Sequence, residues 1–236
     1  MLISSPNIQR ECEESEVYTS VLPLAGARIA ELGCGAAQNT MAIAAMDPGI
    51  EITAYEVDRI QHQKNLKSEH GENVSFKLAG AQAIPEPDQS FDIVTMFKSL
   101  HHVPREHLKA SFEEIHRVLK PGGVAYISEP IFAGEFNDIL RLFHDEEIVR
   151  QAAFDALVAA VNTGLFENDQ EIFFNSPVRF DNFADFENKI IKATHSDHRL
   201  DEETMVEVKS RFEEHVTASG VCFTTPMRIN LLRKVN

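Results

Sequence analysis

The stretch from Arg28 to Thr40, RIAELGCGAAQNT, places a carboxylate, Glu31, just ahead of two closely spaced glycines, Gly33 and Gly35. Glycine lets a backbone turn sharply and approach a ligand with no Cβ in the way, so a strand that runs into GxG and then a helix can cradle a small molecule. Such turns also arise for steric reasons alone. Two further residues narrow the choice of ligand. A dinucleotide fingerprint carries an apolar strand residue where Glu31 stands and a third glycine where Gln38 stands, so pyrophosphate is disfavoured. Glu31 would repel phosphates and attract, directly or through water, a cationic amino-acid moiety. About twenty-five residues on, Tyr55-Glu56-Val57-Asp58 closes the next apolar run, and Glu56 stands where an acid accepts hydrogen bonds from two ribose hydroxyls.

A second group ends a later run, Phe97-Lys98-Ser99-Leu100-His101-His102. His101 and His102 are base candidates by location, since an imidazole with a pKa of about 6.5 suits proton removal near neutral pH. Shaping the loop is the competing role. Glu129, at the end of the next run, could bind a substrate hydroxyl or amine or cap the following turn, and Lys98 pairs with that acid or faces solvent. A metal on His101, His102 and His107 is not expected, because no nearby cysteine or carboxylate completes a shell.

These groups need a scaffold that brings strand ends together. Apolar runs at Ala27 to Leu32, Glu51 to Val57, Val74 to Leu78, Phe91 to Phe97 and Val124 to Ser128 alternate with amphipathic stretches at Asn39 to Met46, Asp58 to His70 and Arg105 to Leu119, the last closed by KPGG. That alternation predicts βαβ units on a parallel sheet. Beyond it, Phe136 to Val161 reads as one long helix or two kinked ones, Gln170 to Phe180 as a strand, Phe183 to Thr194 and Asp201 to Val216 as helices, and Val221 to Val235 as a final strand. The expectation is an α/β fold, doubly wound, with a mostly parallel seven-stranded sheet and helical lid insertions. Ten phenylalanines between Phe132 and Phe186 are read mainly as core, the remainder as lining of an apolar acceptor pocket, with Arg141, Arg179 and Arg228 as candidate clamps for an acidic group.

The chain has 236 residues, 43% hydrophobic and 25% charged, which is a globular composition with room for one large domain. Its formal charge of −15 disfavours nucleic acid and anionic membrane surfaces. No apolar run is long enough to span a bilayer. Cys12, Cys34 and Cys222 are too few and scattered for a disulfide framework or a zinc site, and the N-terminus lacks the look of a signal, so the cytoplasm is the expected location.

Five stretches in register carry a family resemblance: ELGCG at 31–35, the acid at 56, AGAQAIPEPDQSFD at 79–92, SLHHV at 99–103 and RVLKPGG at 117–123. The chain resembles the class I S-adenosylmethionine-dependent methyltransferases, of the ubiquinone/menaquinone-biosynthesis type, over roughly Ile29 to Pro130. The resemblance implies a Rossmann-like fold and S-adenosylmethionine as cofactor. Gly33 and Gly35 would pass under the methionine part, Glu31 would face its ammonium, Glu56 would hold the ribose and Val57 would pack on adenine. Ala81 and Gln82 would border the adenine edge, and Gln38 and Phe97 complete the cofactor set. Gly80 stands where the family usually has an aspartate, and Ala37 replaces the third glycine of the loop. Phe97 falls where amino-methylating relatives have a polar residue, which favours an oxygen, sulfur or carbon acceptor over nitrogen. The implied organisation is an N-terminal helical lid segment over 1–26, a cofactor-binding core over 27–134, and a helical substrate lid with the last two strands over 135–236. The expected activity is methyl transfer to a small, partly apolar molecule, with a homodimer as a compatible assembly. The alternative is a noncatalytic binding or partner protein of the same fold.

Overall fold

The structure, a computed structural model, describes residues 1–192 and 200–235. In chain order the elements are α1 (Glu14–Val21), β1 (Arg28–Leu32), α2 (Gln38–Ala44), β2 (Glu51–Glu56), α3 (Arg59–Lys67), β3 (Val74–Leu78), β4 (Phe91–Phe97), α4 (Leu108–Val118), β5 (Leu119–Pro130), α5 (Glu135–Leu140), α6 (Glu147–Asn162), β6 (Phe166–Phe180), α7 (Phe183–Phe186), α8 (Glu202–Glu213) and β7 (Val221–Lys234). The strands form one seven-stranded sheet in the order β3-β2-β1-β4-β5-β7-β6. The first five run parallel, and β7 is antiparallel to both of its neighbours. Doubly wound connections therefore bring the ends of β1, β2, β4 and β5 to one edge, where a parallel sheet holds its ligands.

Near-continuous apolar runs such as FDIVTMF in β4 follow from burial of both sheet faces. On one face α4 lays down Leu108, Phe112, Ile115 and Val118, and α6 adds Ala153, Leu157 and Ala160. On the other, Val17 and Tyr18 of α1 and Ile43 of α2 cover Ile29, Ile93, Phe97 and Tyr126. A third cluster lies apart: Phe136 of α5, Phe186 of α7, Val208 and Phe212 of α8, and Phe180 and Phe223 at the far ends of β6 and β7.

Several expectations are corrected. The chain leaves the α4 helix at Leu119, which is already extended, so KPGG lies in the first residues of β5 rather than at the end of the helix. A proline disfavours helical geometry in the residue before it, consistent with an early exit. The stretch expected as one or two helices over Phe136 to Val161 is two, parted by a turn that carries His144 and Glu146. The predicted Phe183 to Thr194 helix is α7 passing into a π-helical turn, Glu187–Ile191, and Ala193 and Thr194 lie outside the described residues. The 1–26 segment is helical only over α1. Ahead of it the chain runs along β6, with the Cys12 N–H donating to Asn175 O (3.1 Å) and the Asn175 N–H to Arg10 O (2.8 Å).

Candidate functional site

β1 ends in the glycine turn, which is tied to both neighbouring strands. The Gly33 and Cys34 N–H groups both donate to Tyr55 O at 2.9 Å, and Asn65 of α3 donates to Gly35 O at 2.7 Å. Gly33 and Gly35 take positive φ, 75° and 51°. A Cβ on Gly33 would stand 2.7 Å from Ser99 Cβ, whereas one on Gly35 would meet open space. Gly33 is thus required by packing against the loop after β4, and Gly35 keeps the outer surface of the turn clear. Ala37 holds the left-handed conformation at φ 60°, so the turn is kept without a third glycine. Gln38 follows, exposed, in the first turn of α2.

Glu56 is buried at the end of β2, and its carboxylate accepts the N–H groups of Gly35 (2.8 Å), Val57 (2.7 Å) and Asp58 (2.8 Å). Asp58 is instead committed to capping α3 through the Ile60 N–H at 2.8 Å. Val57, 65% exposed, follows Glu56, Leu78 is the strand partner of Glu56 and Ile60 opens α3, and all three apolar side chains are exposed. Ala81 is buried in the core, and Gln82 folds its amide against Gly80, filling the space of the side chain that Gly80 lacks.

Glu31 is buried and accepts the Thr40 hydroxyl at 2.6 Å. Burial pushes its carboxyl up to about 7, against the bond from Thr40 and with help from the charge of Glu14. Strand register sets Glu31 beside Thr95, and Thr95 beside Tyr126, on the face covered by α1. Phe97 lies on this face too, its ring 5.7 Å from Tyr18 and 5.4 Å from Tyr126, as a core residue beneath α1. Among the described residues Glu14 Oε1, Thr95 Oγ1, the Tyr126 hydroxyl and Ser128 Oγ, all buried, lack hydrogen-bond partners. Orphaned buried polar atoms cost about 1–3 kcal/mol each, so this concentration marks a place for a ligand or water. Lys98 reaches toward Glu14 at 3.8 Å rather than toward Glu129, and it sits at a left-handed φ of 55°.

After Lys98 the chain makes a tight turn, Leu100–His102. Glu129 caps it by accepting the Leu100 N–H at 2.9 Å, and its other oxygen binds His101 Nδ1. The opposite nitrogen, Nε2, lies 3.5 Å from Glu146 Oε1. Burial would lower the His101 pKa, but the two carboxylates outweigh it and lift it to about 9. His101 is therefore held between two acids that favour its charged form. His102 is partly exposed, its ring centroid 4.1 Å from that of His101, and desolvation by the protein atoms around the ring, together with the charge of His101, holds it down to about 4. Glu146 also accepts from Arg150 Nη2 at 2.7 Å and contacts His144 Nε2 at 2.9 Å. Hydrogen bonds and charge from His101 and Arg150 overcome burial and keep its carboxyl well below the usual range.

Glu146 was invisible as a site residue in the sequence, where it reads as an acid ahead of a helix. With it, the expectation that no carboxylate is available to complete a metal shell fails: His101, His102 and Glu146 have ligand atoms all within 4.8 Å of one another, and His107 is not of that group. The three arginines are not clamps around the turn. Arg141 pairs with Asp145, Arg179 with Glu13, and Arg228 is buried over the Phe154 ring, bonded to Asn230 and to Ile3 O. Two surface hollows, of about 290 and 460 Å³, open at the opposite edge of the sheet and contain none of the residues above.

The family model described as a methyltransferase domain matches residues 29–123. The chain is 38% identical over 109 residues to the 27-O-demethylrifamycin SV methyltransferase of Amycolatopsis mediterranei, a match covering 44% of this chain and 39% of that protein. It is 27% identical over 191 residues to the uncharacterized methyltransferase YcgJ of Bacillus subtilis, covering 74% and 73%. The solved YcgJ structure superposes with a TM-score of 0.60, over 94% of this chain and 97% of YcgJ. A candidate methyltransferase from Bacillus halodurans C-125 gives 0.66 at 17% identity, over 94% and 99%. The glycine turn, the acid that ends β2 and the RVLKPGG stretch all fall inside the matched segment, and the structural likeness extends over 94% of the chain. Residues 29–123 thus match the methyltransferase-domain family, and the whole chain has the fold of the solved candidate methyltransferases.

Proposed function

We propose that the chain transfers a methyl group from S-adenosylmethionine to an oxygen, sulfur or carbon atom of a small, partly apolar molecule. The observation that carries this reading is the glycine turn closed onto Glu56, with open space over Gly35 and with the side chains of Val57, Ile60 and Leu78 exposed. These residues fit the cofactor's parts. Three of about four lone-pair sites on Glu56 are taken by backbone N–H groups, which aims the carboxylate and leaves acceptor capacity for a ribose hydroxyl. Glu31, buried with no cation beside it among the described hydrogen bonds and ion pairs, suits an ammonium group. Gln38, Ala81 and Gln82 border the same edge. When bound, S-adenosylmethionine supplies a methyl carbon on a sulfonium, open to in-line displacement.

The protein's own work is then orientation and exclusion of water. Helix α1 roofs the face where Glu14, Thr95, Tyr126 and Ser128 keep unpartnered polar atoms next to the rings of Phe97 and Tyr18, a mixture of polar and apolar contacts that matches a partly apolar acceptor. Residues 1–26 act as a lid on this reading, 27–134 as the cofactor core and 135–236 as the acceptor-side portion. His101 and Glu129 position the loop after β4, each occupied by the other. His102, with no hydrogen bond to its ring among the described residues, is left as the candidate base for an acceptor that must lose a proton. All three cysteines are free and the surface is acidic, which supports a cytoplasmic protein with a small-molecule partner, as monomer or homodimer.

Calorimetric titration with S-adenosylmethionine and with NAD tests the ligand, and a screen of small phenols, thiols and activated carbon acids tests the acceptor. S-adenosylmethionine should bind in the range of about 1 μM to 1 mM, with no NAD binding. Absence of S-adenosylmethionine binding would overturn the proposal. Binding without transfer to any acceptor would favour the noncatalytic reading.

A further inference from the structure

We propose that His101, His102 and Glu146 form a binding site for a divalent transition-metal ion of the zinc type. Two imidazoles and one carboxylate, with a water in the fourth position, are a donor set that zinc takes. Ligand atoms about 2.0–2.1 Å from a tetrahedral ion lie roughly 3.3–3.4 Å from one another. His101 Nε2 and Glu146 Oε1 stand 3.5 Å apart, His144 Nε2 is 2.9 Å from the same oxygen, and no pair among His101, His102 and Glu146 exceeds 4.8 Å. Of the three donors His102 is the exposed one.

The surroundings of these donors add a second, independent argument. A metal-bound histidine characteristically donates its other ring N–H to a carboxylate, which fixes the tautomer and turns the free nitrogen toward the ion. His101 has this arrangement: Nδ1 on Glu129, Nε2 toward Glu146. Glu129 is itself oriented by the Leu100 N–H, which leaves it little freedom to turn away. On Glu146 the two oxygens divide the work. Arg150 binds Oε2 at 2.7 Å and is braced in turn by Asn137 Oδ1 at 3.1 Å, while Oε1 faces the imidazoles. The donors come from two distant elements, the turn after β4 and the residue capping α6, and each has a partner that orients it. An ion here would join α6 to the loop that follows β4. The site stands on its own geometry and does not depend on methyl transfer; an ion on the His102 ring takes the lone pair that a base needs, so the two roles of His102 exclude one another.

The test uses the full chain, stripped of metal with a chelator, then titrated with Zn²⁺ by calorimetry and with Co²⁺ by visible absorption, with neither cofactor nor acceptor present. One ion per chain should bind, with the visible band of tetrahedral Co²⁺, and Zn²⁺ should raise the melting temperature. His102→Ala, on the surface, should weaken binding at least tenfold. His70→Ala, an exposed histidine held by Ser68 O elsewhere, should leave it unchanged. Glu146→Asp, which keeps the charge and withdraws the oxygen, should weaken it as well and serves if His102→Ala fails to fold. Absence of saturable binding at about 1 mM ion would overturn the proposal. So would binding that the His102 and Glu146 variants leave as tight as in the wild type.

Discussion

Glu31 is charged in the unfolded chain at neutral pH and half protonated in the folded one. Its carboxyl is lifted from the ordinary 4.5 to about 7 by burial, so between those pH values the folded state holds a proton that the unfolded state has released. Stability from this group is fully present below about pH 4.5 and falls as pH rises to about 7, by on the order of 3 kcal/mol. Glu14, also raised by burial, acts in the same direction. Carboxylates held low, such as Glu146 and Asp92, act at lower pH with the opposite sign, so the readout is the difference between two proteins. Urea unfolding from pH 5 to 8 should show Glu31→Gln gaining on the wild type as pH rises, and a constant difference would show that Glu31 is not the titrating group. The two glycines of the turn separate packing from binding. Gly33→Ala should lower stability by about 2 kcal/mol or more, since its Cβ meets Ser99 and its φ is positive. Gly35→Ala should cost about 1–2 kcal/mol for its φ alone, yet weaken S-adenosylmethionine binding. Melting curves and calorimetry on both variants check the contrast. The places of Glu31 and Glu56 at the ends of β1 and β2 could be read from spacing, because an apolar run marks where a buried strand stops. Glu146 and Glu14 could not, because Glu146 reaches His101, and Glu14 reaches Lys98, only across the folded chain. For Phe97 the sequence showed a strand apolar on both faces and carried no sign of which face holds the ligand.

Among the elements, the strands were the most legible. The limits of β3 and β4 match the sequence reading because a buried parallel strand is an apolar run bounded by polar turns, whereas helix ends depend on caps such as Asp58 and on extended exits such as Leu119. The stretch after Pro130 was less legible because its helices answer to two different cores. Helix α6 packs Ala153 and Leu157 against the main sheet, while α5, α7 and α8 surround Phe180 and Phe212 in a cluster of their own. Leu157→Ala should therefore destabilise the whole chain by about 2–5 kcal/mol, as truncation of a fully buried leucine does. Phe212→Ala should instead open α7 and α8 to hydrogen exchange while β1, β4 and β5 keep their protection. S-adenosylmethionine affinity in that variant should stay within about threefold, under 1 kcal/mol, with any loss appearing in the acceptor KM. Equal loss of protection throughout the sheet would show that the third cluster and the main core unfold as one.

At the scale of the whole molecule, 37 acidic residues face 22 basic ones, and the resulting charge of −15 surrounds the proposed cofactor site, to which Glu31 and Glu56 contribute. S-adenosylmethionine carries a sulfonium, an ammonium and a carboxylate, one net positive charge. The product left after methyl loss, S-adenosylhomocysteine, keeps the ammonium and carboxylate alone and is neutral overall. An acidic molecule therefore attracts the substrate form of the cofactor more than the product form, by a term that acts through solvent and is screened by salt. The screening length falls from about 30 Å at 0.01 M to about 3 Å at 1 M, which removes the contribution of distant surface carboxylates and spares that of buried neighbours. The ratio of the two affinities should thus decline as salt rises over this range, while the affinity for S-adenosylhomocysteine itself changes little. Calorimetric titration of both ligands at four or five ionic strengths, near pH 8 where Glu31 is ionised, measures the ratio directly. A ratio that holds constant would place the discrimination entirely in short-range contacts at the sulfonium, and the surface charge would then have no part in releasing the product.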